Sequence, residues 1–155
     1  MLFLLFHLGK DTYALEATQV REVIPLVDLK KVPLSPRGVA GVFNYHGTPV
    51  PVIDLCELMM NHPAQKRLST RIILIDYANA KGPTHLLGLI TEKATETMQR
   101  EPVDFIAPGF NNPNALYLGP VTTDARGFIQ WIKIDQLLPE SIRDLLFNDP
   151  VEHLF

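Results

Sequence analysis

The side chains best suited to covalent chemistry are a single cysteine and a histidine ten residues before it. Cys56 follows Asp54, which caps a predicted helical turn, and a helix N-terminus lowers the pKa of a thiol. Cys56 and His46 could therefore form a nucleophile–base pair. The sequence offers no third group to orient the histidine and no oxyanion loop, so it favours a small cysteine facing the core. A cysteine hydrolase remains the alternative enzyme class, and labelling of Cys56 by a thiol probe would support it.

The other polar residues form no catalytic or metal-binding pattern. Histidines occur at positions 7, 46, 62, 85 and 153, without the spacing typical of metal ligands. The carboxylates are scattered, and no phosphate loop, dinucleotide fingerprint or G-x-S-x-G motif occurs. We therefore expect no catalytic residues, no metal and no cofactor, and we predict that the protein is not an enzyme.

Charge and cysteine usage narrow the class further. The net charge is −3, and the only basic pairs, Lys30–Lys31 and Lys66–Arg67, fall in predicted loops, which argues against nucleic-acid binding. The apolar residues 1–6 lack the features of a signal peptide and are too short to span a bilayer. A single cysteine fits a reducing compartment. We predict a cytoplasmic protein without direct membrane insertion.

The elements that would position these side chains are a hairpin and a short helix within Gly41–Met60. Two short apolar strands are joined by the turn Tyr45–Thr48, in which Gly47 is free to adopt a positive φ. Asp54 then caps the helical turn. A turn on a stiff hairpin is well placed to present side chains to a partner and poorly placed to bury a catalytic group.

The rest of the chain is predicted to be mainly β. Many short apolar segments alternate with turns that contain Gly or Pro, and 46% of the 155 residues are apolar. Residues 2–8 are apolar on both faces, which predicts a first strand covered on both sides. Residues 139–147 are predicted to form a terminal helix with an apolar stripe of Ile142, Leu145 and Leu146.

The segment Val20–Ile24 alternates in polarity. Alternation would place Val20, Glu22 and Ile24 on one face of a strand, with Val23 on the other. The pattern leaves open whether Glu22 is a carboxylate on a partly exposed apolar face or a plain solvent-facing residue.

The two halves of the chain echo each other. Leu15 precedes Glu22 by seven residues, and Leu89 precedes Glu96 by the same interval. The hairpin within Gly41–Met60 is echoed by a second one, from Gly119 to Leu138, with a similar Ile-Asp ending. The echo predicts two similar small barrels of roughly 70 residues each.

These segments, in this order, resemble the CheW-like family of chemotaxis coupling proteins. The hairpin block is the most specific part, and the resemblance covers nearly the whole chain. The segments that carry it are F-L-L-F-H-L-G-K-D-T-Y-A-L near the N-terminus, V-R-E-V-I at 20–24, V-P-L-S-P at 32–36, G-V-F-N-Y-H-G-T-P-V-P-V-I-D-L at 41–55, T-R-I-I-L-I at 70–75, L-L-G-L-I at 86–90 and the final hairpin to I-D-Q-L-L.

The resemblance implies a fold of two intertwined five-stranded β-barrels that share the first strand. We expect a single domain over residues 1–155. Barrel one would cover about 12–75, barrel two about 76–138 plus the N-terminal strand, and the C-terminal helix about 139–147.

The resemblance also implies a non-enzymatic scaffold. Family members bridge the cytoplasmic tip of a methyl-accepting chemoreceptor and the regulatory domain of a CheA-type histidine kinase. By position, the receptor-binding surface would consist of Val20, Glu22, Val23, Asn44, Tyr45, His46 and Gly47. An apolar groove flanked by a few polar groups is suited to a helical receptor tip.

Two segments depart from the family pattern. Tyr45–His46 replaces the usual Leu-Arg of the turn, so an imidazole replaces a permanently charged guanidinium. Thr91–Ala94 replaces a strand commonly of the D-x-V kind. We expect a divergent member, tuned to its own receptor and kinase in a pathway that does not control flagella. The alternative is a barrel adaptor that binds a peptide or helix of another signalling partner.

Overall fold

The computed structural model describes residues 1–78 and 83–147. The sequence N-A-K-G-P at 79–83 predicts a turn, most of which lies outside the described residues. Ten strands and two short helices make the described part mainly β, which confirms the predicted class. The elements are β1 (Leu2–Leu8), β2 (Asp11–Glu16), β3 (Val20–Pro25), β4 (Val39–Tyr45), β5 (Thr48–Asp54), α1 (Leu55–Met60), β6 (Arg71–Ala78), β7 (Thr84–Thr91), β8 (Lys93–Gln99), β9 (Leu118–Asp124), β10 (Gly127–Ile132) and α2 (Glu140–Leu146), with 3₁₀ turns at Ala17–Gln19, Pro102–Asp104 and Ile134–Gln136.

The strands form two five-stranded sheets. The terminal sheet, which takes strands from both ends of the chain, has the order β8-β1-β2-β10-β9, and the middle sheet has the order β3-β6-β7-β5-β4. Neighbouring strands are antiparallel except in the pairs β2–β10 and β5–β7. Within the described residues no ladder joins the two edge strands of either sheet. The expected barrels are therefore two sheets that are not closed by strand pairing.

The sheets reveal a duplicated and exchanged repeat. The strands β1–β5 and β6–β10 follow the same pairing scheme, but each sheet combines the first two strands of one repeat with the last three of the other. The chain begins in the terminal sheet, builds the whole middle sheet and then returns. This path accounts for the intertwining of the two units.

Sheet membership differs from the expected barrel boundaries for two strands. Asp11–Glu16 lies in the terminal sheet, and Thr84–Thr91 lies in the middle sheet. The reason is local, because each strand pairs antiparallel with the strand before it and stays in that strand's sheet.

Three apolar clusters form the core. A central cluster lies between the sheets, and each sheet has a smaller cluster on its other face. Strand β1 contributes Leu4, Phe6 and Leu8 to the central cluster and Phe3 and Leu5 to the terminal sheet's own cluster. The prediction of a first strand covered on both sides is therefore confirmed.

The strand β7 passes close to its neighbours at a glycine. A Cβ added to Gly88 would lie 3.0 Å from side-chain atoms of both Ile72 and Val52. A larger residue at this position would require the Ile72 and Val52 side chains to shift, so the glycine allows the three strands to pack closely.

The C-terminal helix α2 docks through one face. Ile142 is buried and the half-buried Leu146 packs against the central cluster, whereas Leu145 is 46% exposed. The Phe147 ring after the helix stacks on Tyr77 at 5.5 Å and on His85 at 4.6 Å between ring centroids. The predicted apolar stripe is thus wrong for Leu145, because the docked face of this short helix is narrower than the pattern suggested.

Candidate functional site

The two edge strands of the middle sheet, β3 and β4, form no ladder with each other, but a side-chain hydrogen bond and the segment after β3 bridge the gap between them, which we call the middle seam. Across it, the Tyr45 hydroxyl of β4 donates a hydrogen bond to Oε2 of Glu22 in β3, which raises the pKa of Tyr45. Two backbone hydrogen bonds of 2.9 Å between Lys30 and Val42 bridge the same gap. The side-chain pair and the backbone bridge from Lys30, which follows β3, thus connect the two edges of the middle sheet.

A bulge in β3 determines where its side chains point. The pairing register with β6 shifts between Val20 and Glu22, so Arg21 is the extra residue. Val20 and Val23 consequently both pack against the central cluster, while Ile24 packs against the middle sheet's own cluster. The predicted grouping of Val20 with Glu22 and Ile24 was wrong, because the bulge resets the alternation within the strand.

The turn after β4 is a two-residue hairpin loop. His46 and Gly47 both have positive φ, 51° and 88°, as a type I′ turn requires. The Asn44 side chain accepts a hydrogen bond of 2.7 Å from the Gly47 N–H. The exposed His46 ring meets the Tyr45 ring edge-on, with centroids 4.4 Å apart. The turn is therefore held in one shape and displays His46 at its tip.

A salt bridge lies beside the middle seam. The guanidinium of Arg21 donates to Oδ1 of Asp76 in β6 at 2.7 Å. Arg21, the neighbour of Glu22 in sequence, is thereby paired with Asp76 and not with Glu22.

The gap between β8 and β9, the edge strands of the terminal sheet, is bridged in a corresponding way, and we call it the terminal seam. Arg126, in the turn after β9, donates to Glu96 of β8 and forms a second ion pair of 2.7 Å with Asp124. The guanidinium holds the pKa of Asp124 below its usual value. Backbone hydrogen bonds of 2.8 Å between Ile106 and Val121 repeat the bridge of the middle seam.

Sequence reasoning did not identify Arg126. The echo between Glu22 and Glu96 was visible in the sequence, and comparison of the two hairpin turns would have pointed to a partner at this turn. The identity of that partner differs between the seams, and only the folded structure shows that each turn reaches its glutamate.

The structure separates Cys56 from His46. Cys56 is fully buried at the start of α1, whereas His46 is exposed at the other end of β5. The Asp54 side chain caps α1 through the Cys56 N–H at 3.0 Å and the Glu57 N–H at 3.3 Å, as predicted. Burial nevertheless raises the pKa of the Cys56 thiol to about 12, helped by the nearby charges of Glu92 and Asp54. The expected lowering by the helix N-terminus is outweighed, and a protonated thiol is a poor nucleophile.

The remaining histidines do not gather into a metal site. Among residues 1–78 and 83–147, no group of three His, Cys, Asp or Glu side chains is placed to hold a metal ion. His153 lies outside the described residues. In the same described part, no helix has both the length and the apolar character needed to cross a membrane.

The architecture is a two-sheet β fold that a solved structure shares. A crystal structure titled as the scaffolding protein TtCheW from Thermoanaerobacter tengcongensis matches this chain with a TM-score of 0.77. The match covers 91% of this chain and 89% of that one, at 23% sequence identity. At this identity the similarity shows that the two proteins share a fold.

Sequence comparison identifies the family. The family model described as the CheW-like domain matches residues 2–141, and the chain belongs to this family. It is 32% identical over 50 residues to a chemotaxis protein CheW of Treponema pallidum, and 26% identical over 103 residues to one of Helicobacter pylori. These matches cover 32% and 66% of this chain but only 29% and 59% of the two relatives.

Proposed function

We propose that this protein is a non-enzymatic cytoplasmic scaffold that couples a methyl-accepting chemoreceptor to a CheA-type histidine kinase. The observation that carries the proposal is the match of the CheW-like domain to residues 2–141. The two curated relatives, which are both named chemotaxis proteins, support the same pathway. The buried Cys56, with its raised pKa, disfavours the cysteine hydrolase as the competing class.

The receptor tip would bind at the middle seam. Glu22, Asn44, His46 and Gly47 are exposed there, and Tyr45 is partly exposed. Val20 and Val23 are half-buried on β3, so each keeps part of its apolar surface for a partner. The rigid turn favours binding because few side chains need to be ordered when the partner arrives.

A charge reversal tests this surface. We expect Glu22→Lys to weaken binding of a chemoreceptor tip fragment by about tenfold or more. The substitution places a positive charge where the partner would present a group complementary to the carboxylate. Binding can be measured by titration calorimetry with the purified protein, and a cooperative melting transition shows that the variant is folded.

Asp144→Lys is the matched control. It makes the same charge reversal at an exposed position on α2 and should leave receptor binding unchanged. Equal affinities of the Glu22→Lys variant and the wild type would remove Glu22 from the site.

A second candidate function is an adaptor for a different helical partner. The Tyr45–His46 pair favours it, since this turn departs from the family pattern at the proposed contact surface. If the receptor tip does not bind while the kinase regulatory domain does, the adaptor would be the better description.

A further inference from the structure

The two seams place a glutamate in the same structural position but treat its charge differently. Glu22 on β3 and Glu96 on β8 each reach across to the opposite edge of their sheet. Glu96 meets the guanidinium of Arg126, whereas Glu22 meets the uncharged hydroxyl of Tyr45.

The charge of Glu22 is therefore not compensated within the described parts of the chain. No ion pair to Glu22 exists among residues 1–78 and 83–147, and the adjacent Arg21 is held by Asp76 at 2.7 Å. Within the same residues, Glu22 Oε2 accepts the Tyr45 hydrogen bond and Oε1 accepts none. Glu22 is thus an exposed carboxylate with one oxygen anchored and the other available.

From this comparison we propose that Glu22 pairs with a basic side chain, Lys or Arg, of the bound partner, and that Tyr45 is the residue that positions it. The inference rests on the proposed function and adds the chemistry of the contact. The Tyr45 hydroxyl fixes the rotamer of Glu22 before the partner arrives, so less side-chain entropy is lost on binding. Because the hydroxyl is neutral, it orients the carboxylate without consuming its charge.

The terminal seam does not offer the same contact. Arg126 bridges both Glu96 and Asp124, so a basic partner would have to displace an internal guanidinium there. The two seams are alike in backbone structure and differ in charge, and this difference directs a basic side chain to the middle seam.

A double-mutant cycle tests the proposal, with the receptor tip fragment as the probe. Tyr45→Phe keeps the ring and removes the hydroxyl, and we expect it to weaken binding about 3- to 10-fold, since the side chain of Glu22 must then be immobilised when the partner binds. Glu22→Gln should weaken binding at least as much and flatten the dependence of affinity on NaCl concentration. In the Glu22→Gln background, Tyr45→Phe should cost less than about twofold, because the positioned charge is already absent.

The salt dependence separates pairing from a merely structural role. A structural loss would change affinity without changing its dependence on NaCl, whereas loss of an ion pair changes both. Glu96→Gln is the matched control, and it should leave affinity for the receptor tip and its salt dependence unchanged. The melting temperature of each variant shows whether it is folded.

The possible outcomes are distinct. If the wild type binds the tip but Tyr45→Phe has no effect, or Glu22→Gln keeps the wild-type salt dependence, the positioning proposal is overturned while the proposed function stands. If the wild type does not bind the tip, the proposed receptor coupling fails and the inference falls with it.

Discussion

At the scale of single residues, Cys56 shows how burial can outweigh a local helix effect. Its thiol lies at the N-terminus of α1, yet its pKa is raised to about 12 because the side chain is enclosed and has carboxylates nearby. We predict that iodoacetamide at pH 8 leaves native Cys56 unmodified over hours. The mass of the protein, measured after quenching, reports the reaction.

The unfolded protein provides the control for this prediction. In denaturant the thiol regains an ordinary pKa and should be alkylated within minutes. Native labelling as fast as that of the unfolded chain would show that Cys56 is accessible and would revive the nucleophile hypothesis.

The turn of the candidate site was predictable, and the direction of the side chains on β3 was not. Turn chemistry predicted the positive φ of Gly47, because it depends on a short stretch of sequence. That Glu22 belongs to a binding surface stays a prediction. The bulge at Arg21 has no comparable local signature, since it arises from the register that β3 adopts against β6. Its effect on Val20 and Val23 could be read only from the folded sheet.

At the scale of elements, Glu92 links parts of the chain that are far apart in sequence. It lies between β7 and β8, accepts a hydrogen bond of 2.9 Å from the Gln65 N–H and also accepts one from the Gly9 N–H. The Gln65 and Gly9 hydrogen bonds hold the pKa of Glu92 below its usual 4.5. Glu92 therefore joins the β1–β2 turn to the segment that follows α1.

This arrangement gives the fold a pH dependence with a definite sign. Because the folded-state pKa is lowered, the stabilisation by Glu92 is fully present above about pH 4.5 and is lost as the pH falls through the lowered value. We predict that Glu92→Gln reduces the free energy of unfolding at pH 7 by about 1 kcal/mol. Urea unfolding measures this free energy at several pH values between 3 and 7. The values are spaced by about one unit around the reference pKa.

A matched substitution makes the result specific. Glu16→Gln, the same change at the end of β2, should keep the acid dependence of the wild type. If the free energy of unfolding of Glu92→Gln falls with decreasing pH as steeply as that of the wild type, the Glu92 carboxylate does not supply this pH dependence.

The helices, strands and turns were predicted better than the long-range contacts between them. The hairpin around His46, the cap at Asp54 and the terminal helix all follow from local spacing and turn residues. The stacking of Phe147 on Tyr77 and His85 joins residues about 60 to 70 positions apart, and no local pattern encodes such a contact.

At the scale of the whole molecule, the exchanged repeats make the two sheets depend on each other. Each sheet contains strands from both halves of the chain, and the central cluster packs against both. We predict that Ile72→Ala, in the middle sheet's own cluster, lowers the stability of the entire protein by about 2–5 kcal/mol.

The sole tryptophan makes this prediction testable. Trp131 lies in the terminal sheet's cluster, packed against Phe3 and Phe105. In Ile72→Ala, the unfolding transition followed by Trp131 fluorescence should shift together with that followed by circular dichroism. Ile129→Ala in the terminal sheet should shift both transitions in the same way. If Ile72→Ala leaves the transition followed by Trp131 fluorescence unchanged, the two sheets unfold separately.

The internal echo predicted two similar units but not the exchange of strands between them. Similarity between the halves shows which strands are equivalent. It does not show whether the strands pair within one half of the chain or with strands of the other half. The choice is made by long-range packing of β1 between β2 and β8, which local sequence does not reveal.

The exchanged repeat also sets an order for biosynthesis. Strands β1 and β2 leave the ribosome well before their outer neighbours β8 and β10, which follow the whole middle sheet in the chain. At translation rates of about 5–20 residues per second, the hairpin Leu2–Glu16 waits on the order of ten seconds for the rest of its sheet. The middle sheet can form during that interval and offer its apolar face to the waiting hairpin. The hairpin Leu2–Glu16 thus keeps unpaired edges and uncovered apolar side chains during this interval, and a chaperone that shields them would help the chain to fold.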